Sequence, residues 1–417
     1  MALLAGGTAV GQALVILTSP LLTRLYPPEQ FGAFAVYTAL LAIAIGAVAL
    51  RYEVAIPLPE TEAGAGNLLA LCGLLSLATA GLTALAVWGL GDHLARWTGT
   101  PALQGFLWLL PASLAMGGVA QSLDYWGTRR QAYPRITRAK LTETFTQVAA
   151  QLGLGALGLG APGLVLGRVG AQAAGNAVMA GAGVAAALRQ VTWRGILQAA
   201  YRYRRFPYLA CGACLLNSVG LQLAPLLLAS LYGPRVAGHF ALSQRMVGVP
   251  MAMIGAAVAQ VYAGEVARLG RGEPRAVWQL FVATGRKLLL LGAGPILLLG
   301  LIGPWLFSLV FGPEWQEAGH YTRLLIIMML MQFVAVPLSY TLDAMERQDL
   351  QLAWDVGRIL LVFGSLYASA RLHLAAGTAM TLYGLAMTVS YGALLWVSAL
   401  AIKSARPDRR AAAEVTP

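Results

Sequence analysis

Apolar runs of about 18 residues or more, each long enough for a helix to cross a bilayer, recur along nearly the whole sequence. No connection between them is longer than about twenty residues, so no water-soluble domain can sit in a loop. Of the 417 residues, 58% are hydrophobic and only 11% are charged, and the mean hydropathy is +0.67. A soluble domain carries about a quarter charged residues, so this chain lacks the polar surface that such a fold needs. Strand-like alternation is absent, which argues against an outer-membrane barrel. The expected fold is an all-α integral membrane bundle.

About twelve spans are expected. The first six cover residues 2–25, 31–56, 66–90, 101–126, 141–160 and 162–188. The second six cover 208–231, 236–264, 286–311, 321–342, 350–370 and 375–402, the eleventh being interrupted by Asp355 and Arg358. Residues 2–25 are long enough to be a span and lack a basic leading region, so they read as span one, not as a cleavable signal.

Orientation follows from the basic residues. Of 29 Lys and Arg, only Arg24, Arg96, Arg168, Arg235, Arg245, Arg323 and Arg371 fall away from the connections after even-numbered spans and the C-terminal tail. Arg129, Arg130, Arg135, Arg138 and Lys140 cluster after span four, and Arg268, Arg271 and Arg275 after span eight. The positive-inside rule then places both termini in the cytoplasm. A net charge of +12 could suggest a nucleic-acid binder, but these cations lie between apolar runs and not on one soluble face, so no nucleic-acid partner is expected.

The sequence also repeats itself. Residues 25–35 (Leu-Tyr-Pro-Pro-Glu-Gln-Phe-Gly-Ala-Phe-Ala) and 231–241 (Leu-Tyr-Gly-Pro-Arg-Val-Ala-Gly-His-Phe-Ala) share Leu, Tyr, Pro, Gly, Phe and Ala in register. Pro20 and Pro225 precede them at nearly the same spacing. Six spans separate the copies, so both halves enter the membrane from the same side, a parallel repeat with a pseudo-twofold axis along the membrane normal. The expected organisation is an N-lobe at 1–188, an amphipathic basic linker at 189–207, a C-lobe at 208–403 and a basic cytoplasmic tail at 404–417. In the linker Trp193, Ile196, Leu197, Ala200 and Tyr201 share one helical face, and Arg194, Gln198, Arg202 and Arg205 the other. That pattern fits an interfacial helix tethering two moving lobes; a plain topology signal fits it equally.

Enzyme motifs are missing. No Gly-rich loop ends in Lys-Ser/Thr, and His93, His239, His320 and His373 are scattered without metal-ligand spacing. Cys72, Cys211 and Cys214 lie inside apolar segments, where they read as small packing residues. No catalytic residue, metal or cofactor is expected.

Charge inside the membrane remains. An ionisable residue there costs about 2.5–3.5 kcal/mol on insertion scales and usually lines a wet cavity. Arg245 lies deepest, in span eight, with no acidic residue nearby on its helix. Arg24 stands at the outer end of span one, Arg168 about two turns into span six, and Arg51 and Glu53 close span two. For Arg24 and Arg51 a snorkelling or bundle-stabilising role fits as well as a cavity. Arginine suits phosphate, whose oxygens match the guanidinium fork. Asp124 and Glu143, at the inner ends of spans four and five, are expected to pair with the Arg129–Lys140 cluster, with coupling as the other reading. Gln12, Asn176, Asn217 and Gln332 are intramembrane amides that could read sugar hydroxyls or join helices.

The ordered set of local motifs resembles a known family. Residues 23–32 (Thr-Arg-Leu-Tyr-Pro-Pro-Glu-Gln-Phe-Gly) and 51–59 (Arg-Tyr-Glu-Val-Ala-Ile-Pro-Leu-Pro) resemble the oligosaccharide flippases of bacterial surface-polysaccharide synthesis, the Wzx type. So do residues 203–207 (Tyr-Arg-Arg-Phe-Pro), 231–234 (Leu-Tyr-Gly-Pro), Ser243-Gln244-Arg245, 311–315 (Phe-Gly-Pro-Glu-Trp) with Ala318-Gly319, and Glu346-Arg347-Gln348. The resemblance implies membership of the superfamily that includes lipid II flippases and multidrug extruders. It implies two six-helix lobes forming a V around a cationic central cavity, which Arg24, Arg51, Arg245 and Arg168 would supply. Some relatives carry fourteen spans, for which there is no room here, and many begin with a short amphipathic lead, whereas this sequence starts directly at span one, the lead being either absent or upstream of a start placed late.

The implied substrate is an undecaprenyl-pyrophosphate-linked oligosaccharide, moved by alternating access from the cytoplasmic to the periplasmic leaflet for O-antigen, lipopolysaccharide or other surface-polysaccharide synthesis. The implied location is the bacterial inner membrane. The implied partners are membrane lipids, the polysaccharide polymerase and the chain-length machinery. Proton or sodium coupling is the implied energy source, with Glu53, Asp124 and Glu143 as coupling or ion-pair candidates. A cation-coupled multidrug extruder of the same superfamily would want acidic cavity residues, whereas the deep positions here are mostly Arg. A membrane glycan polymerase or ligase would need a sizeable external loop, and the loops are short.

Overall fold

The structure, a computed structural model, describes residues 2–404 apart from residues 182 and 271. Arg271 and the basic tail beyond Ser404 lie outside the described residues. Among those residues all regular structure is helical. The first half holds α1 (Ala2–Leu25), α2 (Pro28–Ile45), α3 (Glu62–Trp97), α4 (Leu110–Arg129), α5 (Tyr133–Ala156), α6 (Ala161–Ala180), α7 (Val184–Leu188) and α8 (Trp193–Arg202). The second holds α9 (Arg205–Tyr232), α10 (Pro234–Leu269), α11 (Pro274–Phe311), α12 (Gln316–Leu324), α13 (Ile326–Leu338), α14 (Tyr340–Ala344), α15 (Gln348–Arg371) and α16 (Ala376–Ser404).

Nine stretches among the described residues are helical, long and apolar enough to cross a membrane. Helices α4, α5 and α6, of 20, 24 and 20 residues, are as long but more polar. They pack on one another, α5 and α4 both against α6, so their polar groups bond between helices and avoid lipid. Gln151 Nε2 donates to the Leu164 carbonyl at 2.9 Å, and Asn176 Nδ2 to the Met116 carbonyl at 2.9 Å. With these three, the chain has the expected architecture of about twelve spans.

Four spans differ from their expected continuity. The second ends as α-helix at Ile45; Leu50 and Arg51 then adopt positive φ (50° and 65°), and Tyr52–Ala55 form a 3-10 turn. The fourth starts with 3-10 turns at Pro101–Gly105 and Leu107–Leu109, interrupted at Phe106. The sixth stops at Ala180, where Gly181 follows and Gly183 takes φ 77° before α7, a conformation only glycine adopts cheaply. The tenth is built from α12, α13 and α14, broken at Leu325 and Ser339.

The chain divides by packing into two compact units, Met1–Ala241 and Leu242–Pro417. Helix α9 falls in the first because it packs on α2. Both copies of the repeated motif have the same local structure: a helix containing a proline ends at Leu25 or Tyr232, and the next opens on Pro28 or Pro234. Proline fits there because its missing N–H would be unsatisfied at a helix start anyway.

A second correspondence lies deeper. Tyr37 and Ser243 stand equally far beyond those opening prolines. Tyr37 shares a hydrogen bond of 2.6 Å with Ser113 of α4, and Ser243 one of 2.7 Å with Thr322 of α12. Each joins the second span of its half to the fourth, buried in both cases. In the second unit Tyr262 and Thr341 add a buried hydroxyl pair at 2.6 Å.

Candidate functional site

The first unit holds a polar band inside its bundle. Arg168 of α6 donates to Gln147 Oε1 of α5 at 3.4 Å. Glu143, one turn before Gln147, feels the charges of Arg168, Asp124 and Lys140. Lys140 pairs with Asp124 of α4 at 3.4 Å. Arg168 Nε, Gln172 Oε1 and Gln121 Oε1 are buried and form no hydrogen bond among the described residues. A buried polar atom without a partner costs about 1–3 kcal/mol, a cost that a hydroxyl or an anion bonded there would offset.

Arg51 and Glu53 form a second feature. The left-handed backbone at Arg51 folds its guanidinium back on the next turn, where Nη1 meets Glu53 Oε1 at 3.3 Å. Glu53 is 1% exposed. Arg51 Nε and Glu53 Oε2 find no further partner among the described residues. Between these two residues Tyr52 is buried, and its hydroxyl donates to the Ala200 carbonyl of α8 at 2.9 Å.

The expected site residues are thus distributed. Arg168 and Glu143 come together with Gln147; Arg51 meets Glu53; Asp124 meets Lys140. Arg24 is exposed at the end of α1, beside the start of α2, whereas Arg51 follows the far end of α2. An 18-residue helix is about 27 Å long, so Arg24 and Arg51 are too far apart for one pyrophosphate. Arg245 is half-buried in α10, in the second unit. Also in that unit, α10 and α13 border an apolar cavity of about 200 Å³ whose walls include Met251, Gly255, Met329, Phe333 and Tyr340, with Gln332 as a polar group.

One ion pair was legible in the sequence only as an interruption of span eleven. Arg358 Nη2 donates to Asp355 Oδ1 at 2.9 Å, with side-chain exposures of 5% and 12%. The guanidinium lies over the Trp354 ring at 4.7 Å, and Trp354 Nε1 donates to the Ser390 carbonyl of α16 at 2.7 Å. The signal that could have found it is the i, i+3 spacing, which puts both charges on one helix face.

Known proteins give the frame for this geometry. No curated protein matches the sequence significantly. Among solved structures, an inward-facing multidrug resistance MATE family transporter of the MOP superfamily aligns at a TM-score of 0.75 and 15% identity, covering 97% of this chain and 96% of that one. The lipid II flippase MurJ, in an inward closed conformation, aligns at 0.73 and 9% identity over 95% of this chain and 87% of its own. A MOP superfamily transporter from Pyrococcus furiosus, described as having a binding pocket of reversed polarity, aligns at 0.64 and 14% identity over 97% and 95%. At such identities the likeness establishes the fold alone, a multi-pass helical membrane fold shared with these transporters. The sequence profile of the family described as polysaccharide biosynthesis protein matches residues 21–320. That match takes in most of the chain, the polar band and the Arg51–Glu53 turn included, and the protein belongs to the polysaccharide biosynthesis protein family.

Proposed function

We propose that this protein is a flippase of the Wzx type, moving an undecaprenyl-pyrophosphate-linked oligosaccharide across the bacterial inner membrane for surface-polysaccharide synthesis. The observation that carries the reading is the polar band around half-buried Arg168, in a chain of polysaccharide biosynthesis family and MOP-like fold. A charged, sugar-bearing headgroup cannot cross hydrocarbon unaided, so a polar path through the bundle is the physical requirement. In the first unit Arg168 would hold a phosphate oxygen while Gln121, Gln147 and Gln172 would read sugar hydroxyls; in the second, Arg245 would offer a cation of its own to the headgroup. The prenyl tail would stay in apolar surroundings. Transport would run from the cytoplasmic to the periplasmic leaflet, with both termini cytoplasmic, driven by a proton or sodium gradient. The polymerase and chain-length proteins would consume the product, and no step requires this chain to be an enzyme.

The extruder reading is weaker on one specific point. A cationic drug wants an unneutralised buried carboxylate, but Glu53 and Asp355 each lie against an arginine, at 3.3 and 2.9 Å. The test is deletion of the gene followed by lipid extraction. Accumulation of undecaprenyl-linked oligosaccharide is the expected result, and unchanged lipid-linked intermediates would overturn the assignment.

A further inference from the structure

The short helix α8 presents three different faces. Ile196 and Ala199 are buried against α3. On the opposite side Trp193, Leu197 and Tyr201 are 66%, 53% and 68% exposed. At 100° per residue, Gln198 and Arg202 lie on the flank between these two faces. There they line a cleft of about 280 Å³ whose far wall is the segment from Pro59 to Gly64.

Both walls of the cleft are fixed. The far wall is clamped by Arg129, whose guanidinium donates to the carbonyls of Pro57 at 3.1 Å and Thr61 at 3.4 Å, and also reaches Pro59 and Glu60. The helix wall is pinned at its start, where Thr192 caps Gly195 N at 3.1 Å and its own N–H donates to Asn67 Oδ1 at 3.1 Å. It is pinned at its end by the Tyr52 hydroxyl on Ala200. A cleft held this rigidly does not need to be assembled around its ligand.

The charge on the helix side of the cleft has one sign. Residues 189–207 contain Arg189, Arg194, Arg202, Arg204 and Arg205 and no acidic residue. Arg204 stacks over Tyr201 at 4.3 Å and Arg202 over Tyr203 at 5.6 Å, so the cations and rings form one surface. A free anion would satisfy the arginines but leave three large apolar side chains in water. An anionic amphiphile satisfies both.

We propose that the cleft between α8 and the segment 59–64 binds the headgroup of an anionic phospholipid of the surrounding bilayer. Arg202 and Gln198 hold the phosphate, Arg194 adds charge beside it, and Trp193, Leu197 and Tyr201 lie among the acyl chains. Glu60, whose exposed carboxylate also borders the cleft, opposes the headgroup and limits its affinity. The site is distinct from the polar band around Arg168. The Tyr52 hydroxyl, between Arg51 and Glu53, links that pair to α8 through the Ala200 carbonyl.

The test uses the full-length protein in detergent, titrated with phosphatidylglycerol or phosphatidylcholine of the same chains, with bound lipid counted by native mass spectrometry. The wild type is expected to prefer phosphatidylglycerol, and R202Q to lose about tenfold in that affinity, the effect of one charge-assisted hydrogen bond. E60Q is expected to bind more tightly, and R96Q, at a distant exposed arginine, to bind as the wild type does. Excess inorganic phosphate is expected to leave the lipid in place. Q198L provides the second variant where R202Q yields no folded protein, and it too is expected to weaken binding. Equal binding of the two lipids by the wild type, unchanged binding by the cleft variants, or full displacement by inorganic phosphate overturns the proposal.

Discussion

Gly32 of α2 lies against the carbonyl of Pro234, and a Cβ built on Gly32 would collide with that backbone. The relationship is reciprocal: Gly238 of α10 meets the carbonyl of Pro28 in the same way, and Glu29 pairs with Arg235 at 3.3 Å. The two copies of the repeated motif therefore bind each other with self-complementary contacts, as twofold-related surfaces do. Small residues let helix backbones approach this closely inside a membrane.

We predict that G32A lowers the thermal stability of the purified protein, because the obstacle is backbone that cannot swing aside. Overpacking of this kind costs about 1–3 kcal/mol. G73A, where nothing lies within 4 Å of the added carbon, should melt with the wild type. Equal melting of G32A and G73A would remove the contact from the account.

The motif was legible in the sequence because its residues repeat in register, and so were the spans, because lipid demands unbroken apolar length. What the sequence hid were the breaks. Leu50 and Arg51 carry no glycine or proline of their own to announce a left-handed turn. Tertiary packing decided these positions, not local propensity.

The Arg51–Glu53 pair should behave as a buried ion pair. R51A leaves the Glu53 carboxylate enclosed without its cation, at a cost of about 3–5 kcal/mol. We expect low protein levels for R51A and recovery in the double variant R51A/E53A, read by quantitative blotting of membranes. If Arg51 also binds substrate, export stays lost in the recovered double variant; restored export assigns Arg51 to structure alone.

Candidate site residues were legible as isolated charges in apolar sequence, but their partners were not. Arg168 meets Gln147 and Glu143 from a different helix, and no spacing rule connects residues 168 and 147. Asp355 and Arg358 show the opposite case, since their i, i+3 spacing predicts the contact found at 2.9 Å.

Tyr52 gives a sharper test of how α8 is held. Y52F removes one hydroxyl and its bond to the Ala200 carbonyl, worth about 1 kcal/mol, while keeping the ring buried. We predict faster trypsin cleavage after the arginines of 189–205 in Y52F, with overall stability little changed. Unaltered cleavage would show that α8 is docked by Ile196 and Ala199 alone.

In the second unit, D355N should leave Arg358 without its carboxylate while Trp354 still covers the guanidinium. The expected outcome is a lower melting temperature for D355N than for the double variant D355L/R358M, in which neither charge of the pair remains. The reverse order, measured on the two purified variants, would mean that the pair is not enclosed as found.

The most direct measurement is flipping itself. Proteoliposomes are loaded with undecaprenyl-pyrophosphate-linked oligosaccharide in both leaflets, and an impermeant glycosidase reports the fraction that reaches the outside. The account predicts that wild-type protein lets nearly all of the lipid be cleaved, and that R168A and R245A, present at equal amount, protect the inner-leaflet half as empty vesicles do. Protection of that half by the wild type, or full cleavage with both variants, would contradict it.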